Sequence, residues 1–396
     1  MDMAKPKIRF KGYQEDWEQR KFADFTWDAG KRNKKDLDLE PYAITNEHGF
    51  IRQRDAHDDF GYMKDTDRKA YNIVQPNSFA YNPARINVGS IGYYKGVENV
   101  IVSSLYEVFQ TDNYVNDRFL WHWFKSDEFP RWIERLQEGS VRLYFYYDKL
   151  CECRLYMPSL EEQEKIASFL DNLDKLITLH QRKCDETKKI KKYMLQKMFP
   201  QNGKKVPELR FLGFTDDWEQ RKLGDVFQEY SEKNYTELPT LTIIQGGGTV
   251  KREDSDRNLM YNESNLSNYK MVRKDDFIVH LRSFEGGLEK SSLDGIISPA
   301  YHTFHSDVAD SRFYYPYFRS HEFIKHKLVP HVYGIRDGRS IDISGMKTIE
   351  IPYTSMEEQR TIGDYLEALD NLITLHQRKY EELQKVKKFM LQNMFV

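Results

Sequence analysis

The chain has 396 residues, of which 31% are charged and 39% hydrophobic, and its formal net charge is −2. A chain of this length is too long for one ordinary core, so we expect two or more domains. The near-neutral charge excludes a protein that binds nucleic acid through general basicity, and any such contact must come from local basic patches.

The cysteines and the apolar runs indicate the compartment. The three cysteines are Cys151, Cys153 and Cys184. They are too few for a disulfide framework and fit a reducing compartment. The N-terminal sequence lacks the apolar run of a signal peptide, and no window approaches eighteen consecutive apolar residues. We therefore expect a cytoplasmic protein that does not cross a membrane.

The opening segment, residues 8–25, reads IRFKGYQEDWEQRKFADF. A similar segment, LRFLGFTDDWEQRKLGDVF, occupies residues 209–227, and both contain WEQRK. Repetition on this scale indicates a tandem duplication. We expect one unit over about 1–200 and a second over about 201–396.

Between the repeated opening and closing segments, the two units have similar predicted elements in the same order, but their sequences differ. Aromatic residues at helical spacing predict helices over 118–136 and 312–328. Short β-rich runs bounded by turn residues predict strands. Examples are 79–81, 100–102, 143–147, 277–281, 296–297 and 301–304. The framework is therefore shared, whereas the loops have diverged.

A long helical segment closes each unit, at residues 161–199 and 357–395, and both copies contain LITLHQRK. Apolar residues recur in steps of four and three, averaging about 3.5, which is typical of a coiled-coil seam. The predicted seam residues are Ile166, Leu170, Leu173, Ile177, Ile362, Leu366, Leu369 and Ile373, and the pattern continues through Ile190 and Val386. We predict that the two copies pack on each other as an antiparallel pair.

Lysine clusters at 188–189, 191–192 and 387–388 follow these seams. We interpret them as solvated helix faces, with contact to a partner protein or to the DNA backbone as the alternative.

Familiar catalytic motifs are absent from the sequence. It contains no GxxxxGK[ST] phosphate loop, no strand–GxGxxG–helix fingerprint, no HExxH, no CxxC pair and no GxSxG. The loop Asn82-Pro83-Ala84-Arg85 lacks the second proline and the aromatic residue of an amine methyltransferase loop. We therefore predict a binding protein that is not an enzyme and holds no cofactor or metal. The alternatives are a fused DNA methyltransferase with unrecognised motifs and a coiled-coil scaffold that does not bind DNA.

Basic and amide side chains gather in the loops that differ between the units. Arg and Lys supply phosphate contacts, and Arg, Asn, Gln and Ser supply the donor–acceptor pairs that read base edges. The candidate DNA contacts are Lys31, Arg32, Lys34, Arg52, Arg54, Asn82, Arg85, Lys95, Arg142, Gln245, Lys251, Arg252, His280, Arg282, Ser283, Arg336 and Arg339. A shared framework with different loops predicts that each unit reads a different short DNA sequence.

Three features together resemble the specificity (S) subunit of a type I restriction–modification enzyme. They are the WEQRK opening, the proline followed by EEQ and a long helix (158–163 and 352–359), and the run from Tyr81-Asn-Pro-Ala-Arg85 to Gly89-Ser-Ile-Gly92. The second unit departs from the Tyr-Asn-Pro-x-Arg pattern, with Val279-His-Leu-Arg282 in its place. Arg85 is accordingly a stronger candidate contact of the family type than Arg282.

The resemblance implies the fold and the domain organisation. The expected fold is α/β (α+β) target recognition domains in tandem, separated by two long antiparallel coiled-coil helices, with a pseudo-twofold internal repeat. The expected domains are two target recognition domains at 1–157 and 201–351, a central spacer helix at 158–200 and a C-terminal spacer helix at 352–396.

The resemblance also implies the function and the partners. Each recognition domain would read one half of a bipartite, asymmetric double-stranded DNA target, and the helices would set the gap between the halves. The expected protein partners are two methyltransferase (modification) subunits, which carry S-adenosylmethionine, and restriction/translocase subunits, which use ATP and Mg²⁺.

Overall fold

The computed structural model describes residues 5–46, 49–56, 68–139, 143–201, 203–255, 263–280, 286–334 and 340–396. The chain forms two compact units. Unit 1 comprises Met1–His180 and Arg378–Val396, and unit 2 comprises Gln181–Gln377. Within the described ranges, no helix has the length and apolar character needed to cross a membrane.

Unit 1 contains eleven strands among its described residues. They are β1 (Glu18–Lys21), β2 (Thr26–Asp28), β3 (Lys31–Arg32), β4 (Pro41–Thr45), β5 (Gly49–Arg52), β6 (Asn72–Val74), β7 (Phe79–Tyr81), β8 (Ile91–Tyr93), β9 (Val100–Val102), β10 (Glu107–Thr111) and β11 (Arg154–Met157). They form a four-stranded sheet in the order β2-β10-β7-β8, a five-stranded sheet in the order β3-β6-β9-β4-β5, and the pair β1-β11. In the five-stranded sheet, β4 and β9 run parallel.

The helices of unit 1 are α1 (Gln53–Ala56), α2 (Asp117–Phe124), α3 (Glu128–Leu136), α4 (Tyr147–Glu152) and the first part of α5 (Leu160–Lys197). Helix α1 lies beside β4 and β5, whereas residues of the other helices pack in one core with the aromatic residues of the four-stranded sheet. The side chain of Asn116 caps α2 by accepting hydrogen bonds from the backbone N–H groups of Arg118 and Phe119. Phe79 and Phe109 stack on the sheet with ring centroids 5.1 Å apart, and both are fully buried. Aromatic burial of this kind dominates the core energetics.

Unit 2 repeats the four-stranded sheet but not the five-stranded one. Its strands are β12 (Glu219–Lys222), β13 (Gln228–Tyr230), β14 (Leu241–Ile244), β15 (Gly248–Lys251), β16 (Lys270–Val272), β17 (Phe277–His280), β18 (Glu289–Lys290), β19 (Gly295–Ile297), β20 (Tyr301–His305), β21 (Val332–Tyr333), β22 (Ser340–Ile341) and β23 (Glu350–Tyr353). The order β13-β20-β17-β18 matches β2-β10-β7-β8. The second sheet is reduced to the pairs β14-β15 and β16-β19, which a parallel bridge between Thr240 and Ile296 connects.

The helices of unit 2 include a distorted segment. The α-helices are α6 (Leu223–Val226), α7 (Ser311–Phe318), α8 (Ile343–Lys347) and the first part of α9 (Met356–Asn393). A π-helical turn, Phe323–Leu328, stands where unit 1 has α3.

Three sequence predictions within the units were wrong. The helix predicted over 118–136 is broken between α2 and α3, where the Ser126 hydroxyl donates to the Trp123 carbonyl at the end of α2. The helix predicted over 312–328 is likewise α7 followed by the π-helical turn. The strand predicted at 143–147 is a single bridge between Tyr144 and Glu138, after which α4 begins.

The repeated opening and closing segments contact each other, which explains why both are repeated. β1 pairs antiparallel with β11, and β12 with β23. Arg9 donates to Glu162 at 2.7 Å, and Arg210 donates to Glu358 at 2.6 Å. Both glutamates are 1% exposed and lie in the first turn of a long helix. Such buried pairs hold the opening segment against the helix that closes the same unit.

The long helices run antiparallel inside each unit. In unit 1, Lys387 pairs with Asp174, while the backbone N–H of Ile8 bonds to the Asn393 carbonyl, close to the Arg9–Glu162 pair. In unit 2, Lys191 Nζ lies 2.5 Å from Asp370, and Cys184 Sγ lies 3.6 Å from the Gln377 side-chain oxygen. The two ion pairs join equivalent positions of the repeat.

The predicted seam residues differ in burial along the helices. Six are buried: Ile166, Leu170, Leu173, Ile362, Leu366 and Leu369. Ile177 and Ile373 are half-buried. The continuation through Ile190 and Val386 was wrong, because both are exposed. Their neighbours Lys191 and Lys387 turn inward instead, so those two lysines are not the solvated residues predicted from the sequence.

Candidate nucleic-acid interface

In unit 2, β14 and β15 form a hairpin with the turn Gln245-Gly246-Gly247. These turn residues are exposed. Gly246 and Gly248 have φ angles of 82° and 70°, which favour glycine. A Cβ on Gly248 would lie 2.8 Å from the Lys290 carbonyl oxygen. The hairpin thus presents bare backbone and the Gln245 amide, a group that can bond the edge of adenine.

Glu289 in β18 lies beneath this turn and is 7% exposed. Its Oε1 accepts a hydrogen bond from the Gly246 N–H at 2.8 Å. Its Oε2 accepts from the Gly248 N–H at 3.3 Å and from the Tyr315 hydroxyl at 2.8 Å. The guanidinium of Arg319 pairs with the same carboxylate. Both oxygens are therefore satisfied, and the turn is bonded to a buried, paired charge.

In unit 1, β4 and β5 form the equivalent hairpin with an apolar support. Gly49, with φ 64°, stands opposite the last residue of β4, as Gly248 does for β14. Phe50 lies on Gly92, where a Cβ would be 2.7 Å from the Phe50 ring. The ring centroid of Phe50 is 5.3 Å from that of Tyr94. The packing of the Phe50 and Tyr94 rings thus supports this hairpin, as the Glu289 carboxylate supports the hairpin of unit 2.

The described candidate contacts of unit 1 are at the surface. Lys31, Arg32, Lys34, Arg52, Arg54, Arg85 and Lys95 are exposed, and Asn82 is half-buried. The structure brings Arg52 to the end of β5, with Nε 3.4 Å from the Tyr42 hydroxyl, and Arg54 follows in α1. Arg32 donates to the carbonyls of Ala70 and Ser104, so it holds loops together as well.

The Tyr-Asn-Pro-x-Arg segment forms a tight loop after β7. The Asn82 side chain accepts from the Ala84 N–H at 3.0 Å, and the Asn82 carbonyl accepts from the Arg85 N–H at 3.0 Å. The Ser90 hydroxyl then donates to the Ile44 carbonyl in β4 at 2.9 Å. This bond joins the segment that carries Arg85 to the hairpin. Arg85 is thereby held at a defined position rather than on a free loop.

Three of the described candidate contacts of unit 2 lie in or next to its hairpin, and the fourth, His280, ends β17. Gln245 and Lys251 are exposed, and Arg252 and His280 are half-buried. The guanidinium of Arg252 stands 5.7 Å from the Tyr269 ring centroid, and the His280 ring packs on Tyr301 at 4.9 Å. Five further candidates lie outside the described residues: Arg142, Arg282, Ser283, Arg336 and Arg339.

Each unit also has a cleft beside the long helices. In unit 2 it measures about 880 Å³ and is lined by Lys188, Lys192, the glycine turn and Arg319. In unit 1 it measures about 320 Å³, and Lys125 and Lys388 take part in the lining. Burial lowers the pKa of Lys125, and the charge of Lys387 lowers it further. Asp127 and Asp174 also line this cleft, and Asp174, which pairs with Lys387, acts on the pKa of Lys125 in the opposite direction.

Lys95 has a similar environment near α2. Partial burial lowers its pKa, and the charge of Arg118 adds to that effect. Arg118 is itself paired with Asp171, and the charges of Asp171 and Asp174 act on the pKa of Lys95 in the opposite direction.

One group of described side chains has the composition of a metal site. The ligand atoms of His122, Asp171 and Asp174 lie within 4.8 Å of one another. Asp171 is already paired with Arg118 and lies 2.9 Å from His122 Nε2, and Asp174 is paired with Lys387. The carboxylates are therefore neutralised by protein cations, and the group ties α2 to the long helices.

Sequence reasoning missed Glu289, Tyr315 and Arg319. A partial signal was present, because Phe318-Arg-Ser repeats Phe124-Lys-Ser of the first unit and so marks a cationic position. Nothing in the sequence places Glu289 beneath the glycine turn, because the loop between β17 and β18 differs between the two units.

Comparison with known proteins defines the class. The family model described as type I restriction modification DNA specificity domain matches residues 14–189 and 215–385. The type I restriction enzyme MjaVIII specificity subunit of Methanocaldococcus jannaschii is 25% identical, over 94% of this chain and 91% of that protein. The putative MjaX specificity subunit of the same organism is 23% identical over the same shares.

A solved structure has the same fold. The S subunit of a type I restriction–modification system from M. genitalium matches with a TM-score of 0.61 and 13% identity, over 99% of each chain. The chain therefore belongs to the type I restriction modification DNA specificity domain family, and it is a type I restriction–modification specificity subunit. The predicted class and tandem fold are confirmed.

Proposed function

We propose that each unit reads one half of a bipartite, asymmetric DNA target. The observation that carries this proposal is the hairpin pair. The same four-stranded sheet occurs twice, and each copy supports a β-hairpin flanked by cations, but the hairpins differ in sequence and in support. Two readers of this kind on one chain suit a target with two unlike halves.

Within each unit we assign roles by side-chain type. The exposed lysines and arginines would contact phosphates, and Gln245, Arg52 and Arg85 would contact base edges. Arg142, Arg282, Ser283, Arg336 and Arg339 remain candidates from the sequence. Phosphate contacts make binding depend on salt, so affinity should fall steeply as the salt concentration rises.

The long helices would also dock two methyltransferase subunits. In unit 1, Leu176, Val386 and Phe389 are exposed at 42%, 40% and 52%. In unit 2, the exposed apolar residues at equivalent or adjoining positions are Leu372, Leu375, Ile190 and Tyr193. Apolar side chains exposed on a helix face mark protein-binding surfaces. Since the set recurs in the repeat, it would accept two copies of one partner.

The remaining assignments follow from the class. S-adenosylmethionine would belong to the methyltransferase subunits, and ATP and Mg²⁺ to the restriction/translocase subunits. We place the complex in the cytoplasm, in keeping with the free thiols of the described cysteines Cys151, Cys153 and Cys184. We retain the division into recognition domains at 1–157 and 201–351 and spacer helices at 158–200 and 352–396.

A methylation map tests this function. The chain is expressed with its methyltransferase subunits in a host without other type I systems, and methylated adenines are located across the genome. We expect a bipartite motif that disappears when this gene is deleted. Methyl transfer by the purified chain alone would contradict the proposal and favour a fused methyltransferase. A complex that retains no DNA in a sequence-specific way would favour a scaffold.

The gap is tested separately. Inserting one helical turn into each long helix should change the number of unspecified base pairs between the half-sites. An active variant with an unchanged gap would contradict the role of the helices as spacers.

A further inference from the structure

Glu289 differs from the residues around it in being a buried carboxylate with no role in the recognition function proposed above. It faces the underside of the hairpin turn, away from the exposed surface. Four donors converge on it: two backbone N–H groups of the turn, the Tyr315 hydroxyl and the Arg319 guanidinium. A carboxylate is suited to this place because it accepts on both oxygens, whereas an amide would present an NH₂ group to one of the donors.

The turn has little other means of holding its shape. Its glycines carry no side chains that could pack, and glycine loses more conformational freedom on ordering than any other residue. Within the turn, the Gly247 N–H donates to the Ile244 carbonyl at 2.9 Å. Below it, Thr249 and Ser292 exchange hydrogen bonds that fix β15, including one of 2.8 Å from the Ser292 hydroxyl to the Thr249 carbonyl. The bonds to Glu289 fix the apex above that point.

The apex position decides where Gln245 lies. The Gln245 side chain rests over Gly286, where a Cβ would be 2.6 Å from its amide nitrogen. A shift of the apex by about 1 Å would remove a base-edge hydrogen bond, because such bonds require donor–acceptor distances near 3 Å. The first unit has no matching carboxylate: Gly92 occupies the equivalent position in β8, opposite Ala80, as Glu289 stands opposite Ile278.

We propose that Glu289 is a positioning residue for DNA recognition by unit 2: it holds the Gln245-Gly246-Gly247 turn in the conformation that reads one half of the target. Arg319 balances its charge and Tyr315 fixes its orientation. This inference rests on the proposed function, because it presupposes that the hairpin meets DNA.

The test uses the full chain in complex with its methyltransferase subunits and maps methylation of host genomic DNA. The variants are Glu289→Gln and Tyr315→Phe, and the matched control is Glu237→Gln. Glu237 is exposed and has no described contact with the hairpin. Glu289→Gln should relax one half of the motif, lowering the preference for matched over singly mismatched half-sites by about tenfold, the weight of one good base contact. Tyr315→Phe should give a smaller change in the same half. The other half, the control and the salt dependence of binding should stay as in the wild type.

Each outcome has a defined meaning. Equal relaxation of both halves, or an unchanged motif in the folded Glu289→Gln complex, would overturn the positioning role. If the Glu289→Gln chain does not assemble with its partners, the Tyr315→Phe variant provides the test. Relaxed specificity in one half of the motif would support the positioning role, and an unchanged motif would overturn it. A wild-type complex that yields no bipartite motif would instead refute the proposed function, so the two failures are distinguishable.

Discussion

Each unit has its own copy of the four-stranded sheet, with a similar hairpin beside it. The side chains that support the two hairpins are of different kinds. In unit 1, Phe50 packs on Gly92 and Tyr94, and β4 is further paired to β9 within a five-stranded sheet. In unit 2, the corresponding hairpin is a two-stranded pair that a parallel bridge between Thr240 and Ile296 joins to β19, and Glu289 bonds its turn. The strength of an apolar contact depends on how well the two surfaces fit. The strength of the hydrogen bonds to a carboxylate depends on the direction in which the backbone N–H groups point. The second support therefore suits a turn without side chains.

The helices beside the hairpins differ in the same way. Trp121 of α2 approaches Gly49, with 3.7 Å between its ring and the position of a Cβ, and Lys125 lies over the Trp121 ring at 4.7 Å. In unit 2, Tyr315 of α7 and Arg319, which follows α7, occupy the corresponding places, and both contact Glu289. Both units thus have an aromatic residue and a cation at equivalent positions. In unit 1 the aromatic residue lies against the hairpin itself, whereas in unit 2 both residues contact the Glu289 carboxylate.

The largest expected effect comes from removing the apolar support. Phe50→Ala should lower the stability of the unit 1 hairpin by about 2 kcal/mol, because Phe50 is half-buried and a fully buried ring costs about 3–5 kcal/mol. Hydrogen exchange of residues 41–52 should become faster, while residues 241–251 in unit 2 stay unchanged. The control is Val88→Ala, an exposed apolar residue of unit 1 that should change stability by less than about 0.5 kcal/mol. Faster exchange in both hairpins would show that their supports are not independent.

A smaller effect should follow from filling the space under Phe50. Gly92→Ala places a Cβ 2.7 Å from the ring, so Phe50 must move, at a cost of about 1 kcal/mol. Combining it with Phe50→Ala should remove most of this penalty, since the ring is then absent and only the backbone nitrogen of residue 50, 3.1 Å from the Cβ, stays in tight contact. The loss that Gly92→Ala adds should therefore be smaller in the Phe50→Ala background than in the wild type, measured by urea denaturation. Additive losses would mean that Gly92 is needed for another reason.

The smallest effect is a pH dependence of the stability of unit 2. His305 Nδ1 lies 2.6 Å from the buried Asp276 carboxylate, and this bond raises the pKa of His305, with Asp307 adding to the effect. Its folded pKa exceeds the unfolded value, so the pair stabilises unit 2 fully below the unfolded pKa, and the contribution is lost as pH rises through the folded pKa. Stability of unit 2 should decline across that interval.

Unit 1 supplies the matched comparison, because Gln110 and Ser78 occupy the equivalent positions and join through an uncharged hydrogen bond of 3.0 Å. The double variant Asp276→Ser, His305→Gln places the uncharged pair of unit 1 at the equivalent positions of unit 2. It should abolish the decline in the stability of unit 2 with rising pH, as measured by hydrogen exchange. Persistence of the same pH dependence would assign it to other groups.

The sequence predicted most of the framework and little of the site. The duplicated WEQRK and long-helix segments could be matched by eye, and they form the contacts that hold each unit to its helices. The seam prediction failed at Ile190 and Val386, because lysines with long aliphatic stems took the inward position and paired with Asp370 and Asp174. Coiled-coil periodicity cannot anticipate such a pair, since it counts lysine as polar.

The supports of the hairpins were beyond sequence reasoning for a different reason. Phe50 and Gly92 are distant in the chain, as are Gly246 and Glu289, and their meeting depends on strand register. Three consecutive glycines carry no side chains that could indicate a support, yet the structure bonds this turn to a buried carboxylate. Charged loop residues, in contrast, were easily found, because exposure alone places most of the described candidates at the surface.

Exchange of one recognition domain tests the central claim most directly. Residues 26–155 are replaced by the corresponding region of a related specificity subunit, and methylated adenines are mapped in cells that express the hybrid with the same methyltransferase subunits. We predict that one half of the motif changes, while the other half stays as in the parent. A change in both halves, or in neither, would contradict the claim that the two units read DNA separately.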